Sequence, residues 1–496
     1  MKAIKTRFDF LFRSTKGLVL VAIALISLET IIFGMLSGPM AEWGIRDVWL
    51  RITGMELLPA EREGRIIMLY HTIAMAVVAI EVYLITNMVA MKRERQAAIN
   101  GLVTVGYITS MIFGMWFAYF GHNYVFHGLF IFGQSLLFFG GVLLAVTLWP
   151  WQEKYHVTDP EYAHTRGGVD LERAAFFTMA LATLGSVLYG AVPGSLFGNG
   201  FESFLAEDLV RLPHKTPLEL AIIGHLHIML TLIAVALTLI IGRWLDFKGR
   251  WHKVAMPTMI LGTIVVTLGV WAVVPFEPIA HKIINGGSIF MITASLLLVA
   301  YAWRQQVRLG LAKKGITQAH FGQKIRALLH DPLPFGATWQ MVYMNLVVTA
   351  VGIYMAINLD DIFRVWTARE ERITLTGHWH ILAGIIATII LLYYGDLVGL
   401  KGKVRQWFGW VIIISSDVAF AAATIFSIKR LFVSETAQQP ITNWTMILTD
   451  IGLFLVLLVL GILMLWRLID LFKQKGRWTT ELQETDLDTP KQEVPQ

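Results

Sequence analysis

The chain has 496 residues, 56% of them hydrophobic and 15% charged, with a mean hydropathy of +0.61 and a formal net charge of +6. This is the composition of a polytopic membrane protein. It excludes a string of soluble domains, and it excludes nucleic acid as the partner of the positive charge, because the basic residues flank apolar segments. The absence of cysteine excludes disulfides, thiolate-ligated iron–sulfur clusters and covalent c-type haem attachment.

The basic start MKAIKTRFDFLFRSTKG leads into an apolar run with no small-residue cleavage site. The first segment is therefore expected to span the membrane and not to be a signal peptide. Twelve apolar segments of about 18–25 residues follow one another. They lie near 18–38, 66–91, 102–120, 128–149, 174–195, 217–242, 254–275, 287–303, 341–358, 375–395, 409–428 and 446–466. The pattern predicts an all-α fold with a single transmembrane domain over 1–477. The polar, acidic stretch 478–496 is expected to be a disordered cytoplasmic tail.

All 41 lysines and arginines fall outside these segments. With the N-terminus in the cytoplasm, 29 of them lie in cytoplasmic stretches and 12 in external ones. The positive-inside rule then predicts cytoplasmic termini in a bacterial-type cytoplasmic membrane.

Five histidines lie inside apolar segments: His71, His225, His227, His378 and His380. His225 follows His71 after 154 residues, and His378 follows His225 after 153. Segments 2, 6 and 10 all start at the external face, so at about 1.5 Å per residue the five share one layer roughly 5–12 Å below it. An intramembrane histidine is expensive and is a functional candidate, and neutral imidazole is a common ligand of haem iron. The alternative, hydrogen-bonded core histidines, does not predict a common depth. His225/His227 and His378/His380 are each H-x-H pairs. Residues i and i+2 of a helix point about 200° apart, so each pair serves two sites on opposite sides and cannot clamp one ion.

In this layout the chain resembles subunit I of the haem-copper oxidase superfamily, which has twelve helices in three equivalent four-helix arcs and ligands on helices II, VI, VII and X. The resemblance implies that His71 and His380 are the axial pair of a low-spin haem and that His378 holds a second haem. Lys429 and Arg430, after segment 11, resemble the basic pair that meets haem propionates. The chain departs from the family at the copper site. Segment 7, VAMPTMILGTIVVTLGVWAVV, has no histidine, and Met229 stands where the crosslinked tyrosine would. No copper is therefore expected. Rotating the His71–His380 pair by one arc gives His378 with His227, which makes the second haem bis-histidine. A further rotation pairs His225 with Ile73, which cannot ligate. A third haem would need Met68, His122 or His127.

Glu81 and Asp417 lie near mid-membrane, where a carboxyl group must be neutral or paired. Each is a candidate for a proton path or a quinone site. Glu29, Asp396 and Asp450 are expected at interfaces, His252 in a solvated cytoplasmic loop, and His281 in an external loop.

The expected function is that of a cytochrome b-type electron-transfer subunit with two b-type haems. Its partners would be other subunits of a membrane respiratory complex, a periplasmic cytochrome or oxidoreductase, and the quinone pool. One alternative is a divergent terminal oxidase or nitric oxide reductase; another is a proton-coupled transporter.

Overall fold

The computed structural model describes residues 2–37, 43–57, 62–120, 123–152, 168–196, 216–358, 361–362, 365–366, 368–434 and 437–487. In chain order the helices are α1 (Lys2–Arg13), α2 (Thr15–Ser37), α3 (Ile45–Thr53), α4 (Arg62–Met88), α5 (Arg93–Phe120) and α6 (Tyr124–Leu148). Next come α7 (Leu171–Leu196), α8 (Pro217–Trp244), α9 (Gly249–Trp271), α10 (Val273–Ala312) and α11 (Phe321–Leu328). They are followed by α12 (Pro332–Ile357), α13 (Ala368–Leu397), α14 (Gly402–Ile428), α15 (Gln438–Phe472) and α16 (Arg477–Leu487). Among the described residues twelve helices are long and apolar enough to cross a membrane. The protein is an all-helical, multi-pass membrane protein. Helices suit these sequences because lipid offers backbone N–H and C=O groups no partner outside the helix itself.

Two differences from the expected segments matter later. The stretch 276–286, expected as an external loop, is helical in α10, which starts at Val273 and bends at Phe276 (φ −143°, ψ 48°). Glu277, Pro278 and Lys282 lower its local hydropathy and disguise it in the sequence. Of the stretch 478–496, expected to be disordered, residues 478–487 are helical in α16, and the rest lies outside the described residues. The Asp470 carboxylate accepts hydrogen bonds from the amides of Arg477 (3.0 Å) and Trp478 (3.1 Å), which anchors the start of that helix. Trp478 is buried, with its ring 6.0 Å from that of Phe10.

The chain forms two compact units. The first comprises Met1–Trp149, Thr183–Ala206 and Leu468–Gln496; the second comprises Pro150–Ala182 and Glu207–Arg467. In the first, α2, α4, α5 and α6 pack against one another. A Cβ at Gly106 of α5 would come 2.8 Å from the Gly133 carbonyl oxygen of α6, so only glycine permits this backbone approach. The interior is partly polar. The Tyr83 and Thr104 hydroxyls are 2.6 Å apart, and Thr86 donates to the Asn100 side-chain oxygen at 2.9 Å. Glu29, expected at an interface, is buried with its carboxylate accepting from the Thr72 hydroxyl.

In the second unit α9 and α10 form an antiparallel pair against α8, while α12, α13 and α14 pack together. Arg405 ties one end of that group. Its guanidinium forks onto both oxygens of Asp331 (2.8 and 2.8 Å) and reaches Asp396 at 2.5 Å. Asp396 also accepts from the Trp244 indole at 2.7 Å, so one carboxylate links α8, α13 and α14. Within α12 the chain widens into a π-helical turn at Tyr343–Val348. There Asn345 donates to the Met341 carbonyl (2.6 Å) and to Ser295 of α10 (2.8 Å). Such turns recur at functional sites. His252, expected in a solvated loop, is buried in α9 and edge-on to Phe247, with ring centroids 5.5 Å apart.

Candidate functional site

Each of the five histidines falls on a spanning helix: His71 on α4, His225 and His227 on α8, His378 and His380 on α13. Within each H-x-H pair the exposures differ, as the 200° offset requires. His225 and His378 are half-buried, whereas His227 and His380 are exposed.

The second unit brings two of these residues together. His227 and His378, on α8 and α13, are near enough for their charges to interact. A third imidazole, His281 of α10, also interacts with His227. His281 was missed in the sequence because its helix was read as a loop; the helical character of residues 276–286 is what places it beside α8. Among the described residues no group of three or more His, Cys, Asp or Glu stands in metal-holding geometry. An axial pair on a haem needs only two side chains.

The surroundings of His378 suit a ligand. Its Nδ1 is buried with no hydrogen-bond partner. Its ring faces Gly352 of α12, where a Cβ would lie 3.2 Å from Cε1 and 3.4 Å from Nε2. The glycine leaves this edge of the imidazole free of side chain. Gly377, adjacent to His378, faces the Ser427 hydroxyl of α14 at 3.1 Å from its Cβ position.

Lys429 and Arg430 follow at the end of α14. The Lys429 ammonium donates to the Thr442 hydroxyl at 2.8 Å and lies 4.1 Å from the centroid of Phe426. The Arg430 guanidinium lies 4.4 Å from the centroid of Trp366. Trp366 packs with Tyr354 and Ile428 on the buried cluster Val351, Met355 and Ile362. That cluster belongs to the same helix end as Gly352, so the basic pair stands over the α12–α14 region that also borders His378. Each cation lies against an aromatic face.

Asp417 lies on α14 opposite α12 and is paired. Its carboxylate accepts from the Trp339 indole at 2.9 Å and from Gln340 Nε2 at 2.8 Å; that amide also reaches the Ser416 hydroxyl at 3.1 Å. Two turns along, the Tyr343 and Thr424 hydroxyls are 2.8 Å apart. Nothing in the sequence marked Trp339 and Gln340 as partners of Asp417, since they are 78 and 77 residues away. Glu81, in the first unit, is 4% exposed and its Oε1 has no hydrogen-bond partner.

Of the side chains expected to complete a third site, Met68 and His127 belong to the first unit. Met68 is buried with Phe117 and Phe130, and the His127 ring stacks on Phe117 at 5.3 Å. His122 lies outside the described residues. His71 is in the first unit and His380 in the second.

No family model matches the chain, and neither a curated protein nor a solved structure matches it.

Proposed function

We propose that the protein is a membrane electron-transfer subunit of the cytochrome b type, with its haems in the histidine layer. The observation that carries this reading is the proximity of His227 and His378. They sit on separate spanning helices, and the second has a buried, unpartnered nitrogen and a glycine against its ring. Two neighbouring imidazoles from separate helices are the side chains a bis-histidine haem site needs. The residues present fit a b-type haem at this place: His227 and His378 would hold its iron, and Lys429 and Arg430 would be the basic side chains nearest its carboxylates. Such a haem, when bound, supplies one-electron redox chemistry. A second haem on His71 and His380 rests on the sequence resemblance, as does the three-arc arrangement of the helices.

The chain's own groups set the conditions for that chemistry. The His378 Nδ1 has no hydrogen-bond partner in the protein, so that nitrogen is not committed to another group. The cation pair Lys429–Arg430 favours a negatively charged group beside it. The electron partners would be an external redox protein on one side and quinone or another subunit on the other.

The test is an optical spectrum of the purified protein, oxidised and dithionite-reduced, with and without carbon monoxide, with pyridine haemochrome quantification. Sharp low-spin b-type bands from two haems per chain, insensitive to carbon monoxide, are expected. A high-spin component that binds carbon monoxide would move the assignment to a terminal oxidase or nitric oxide reductase. Protein free of haem would favour the transporter reading and reject the proposal.

A further inference from the structure

The last spanning helix, α15, carries a carboxylic acid on the wrong face for an isolated membrane protein. One side of the helix packs. Thr445, Gly452, Val459 and Leu463 are buried, and Gly452 sits so close to α14 that its Cβ would meet the Ala419 amide at 2.9 Å. Asp450 is exposed. It is two residues from Gly452, which places it about 160° around the helix and points it directly away from the packed side.

Its depth follows from the same contact. Gly452 meets α14 at Ser415 and Ala419, and α14 runs from Gly402 to Ile428, so the contact lies at the middle of that span. Thr449 donates to the Ala419 carbonyl at 3.5 Å, consistent with this register. Asp450, expected at an interface, therefore lies at mid-span. It takes part in no hydrogen bond or ion pair among the described residues. Asp417, at a similar level on α14, is held by an indole and an amide. Asp450 has no such support and faces outward, where hydrocarbon would leave its carboxyl group without any partner.

The residues around it form a seam. Asn443, Ile447, Asp450, Phe454, Leu457 and Gly461 recur at alternating steps of four and three, and all six are exposed. This 3.5-residue spacing keeps one stripe facing a neighbouring helix as the two coil around each other. The side chains suit helix association in lipid: a glycine with nothing within 4 Å of its Cβ position, one carboxyl group and one amide on an otherwise apolar stripe.

We infer that this stripe of α15 is the docking face for a spanning helix of a different polypeptide, one that carries a Lys, Arg or His side chain level with Asp450. Charge complementarity selects this occupant. A basic side chain satisfies the carboxylate, whereas a second copy of this chain in parallel would set Asp450 against Asp450. The inference does not depend on haem binding and concerns a different face of the protein.

The test is site-specific photocrosslinking in membranes of the cells that naturally make the protein, with benzoylphenylalanine replacing Phe454 or Leu457 on the stripe, or Ile451 or Ile462 beside it. Adducts to one second polypeptide are expected from the two stripe positions only, and that polypeptide should carry a basic residue within a spanning segment. Asp450→Leu should lower the adduct yield by about three- to thirty-fold, the range for one intramembrane polar contact. Because Asp450 is exposed and makes no hydrogen bond or ion pair among the described residues, the variant should fold with unchanged Tm. Gly461→Leu, which blocks close approach without altering charge, should lower the yield as well. The inference is overturned by adducts to lipid only, by an adduct of twice the chain's mass, or by an adduct within the chain that persists in purified protein. A partner without a basic spanning residue, or a yield unaffected by Asp450→Leu, overturns it too.

Discussion

The His378 imidazole and the α-carbon of Gly352 face each other so closely that any larger residue at 352 must move the ring: a Cβ there lies 3.2 Å from Cε1. The pair joins α12 to α13 at the level of the proposed ligands. Gly352→Val should therefore displace His378 and remove one low-spin haem of two, while Gly352→Ala should broaden its spectrum with smaller loss. Haemochrome quantification beside a thermal-unfolding measurement checks this. Full haem content in Gly352→Val would mean that His378 is not a ligand.

The two members of the α8 pair should behave differently. His227 is the neighbour of His378, whereas His225 points to the other side of the helix. His227→Ala should lose one haem and leave the second intact, and His225→Ala should retain both. Reduced-minus-oxidised spectra of the two variants decide it; the opposite pattern would make His225 the ligand.

Asp417 holds two donors of α12, the Trp339 indole and the Gln340 amide. Asp417→Leu strands the indole, leaves the amide only Ser416, and should destabilise the protein by about 1–3 kcal/mol, the cost of one buried unsatisfied polar group. Asp417→Asn keeps one acceptor and should cost less. Denaturation of both variants in the same detergent gives the order; equal stability of wild type and Asp417→Leu would refute the pairing.

Arg405 meets two carboxylates from different helices, Asp331 bidentately and Asp396 through one nitrogen. Lysine offers one point charge and cannot reproduce the fork. Arg405→Lys should lower stability by about 1 kcal/mol, and Arg405→Met by more, because both carboxylates are then left facing each other. All three residues are partly exposed, which tempers the loss through solvent screening. The measurement is Tm at low and high salt, with the wild-type advantage shrinking as salt rises.

Much of the fold is legible in the chain. Runs of apolar residues long enough to span are a property of local composition, and all twelve expected segments lie within the described spanning helices apart from a few residues at their ends. The eighth fell short because Glu277, Pro278 and Lys282 interrupt hydropathy without interrupting the helix, and His281 was lost with it. The α16 helix was hidden for a different reason. Its stability comes from Asp470 and Phe10, and the polar composition of 478–487 carries no sign of either.

The sequence by itself determined that this is a multi-pass membrane protein and where most of its spanning helices run, and it led to the expectation that five histidines share a depth. Depth is position along a helix, and it can be counted. Which residues meet was decided only by tertiary structure. A spanning helix is apolar nearly all round, so its hydropathy pattern says little about which face packs and which meets lipid. The partners of Asp417, the neighbour of His227, the glycine against His378 and the outward aim of Asp450 all depend on how each helix is turned about its own axis. Packing sets that rotation through close contacts such as Gly452 on Ala419, between residues far apart in the chain.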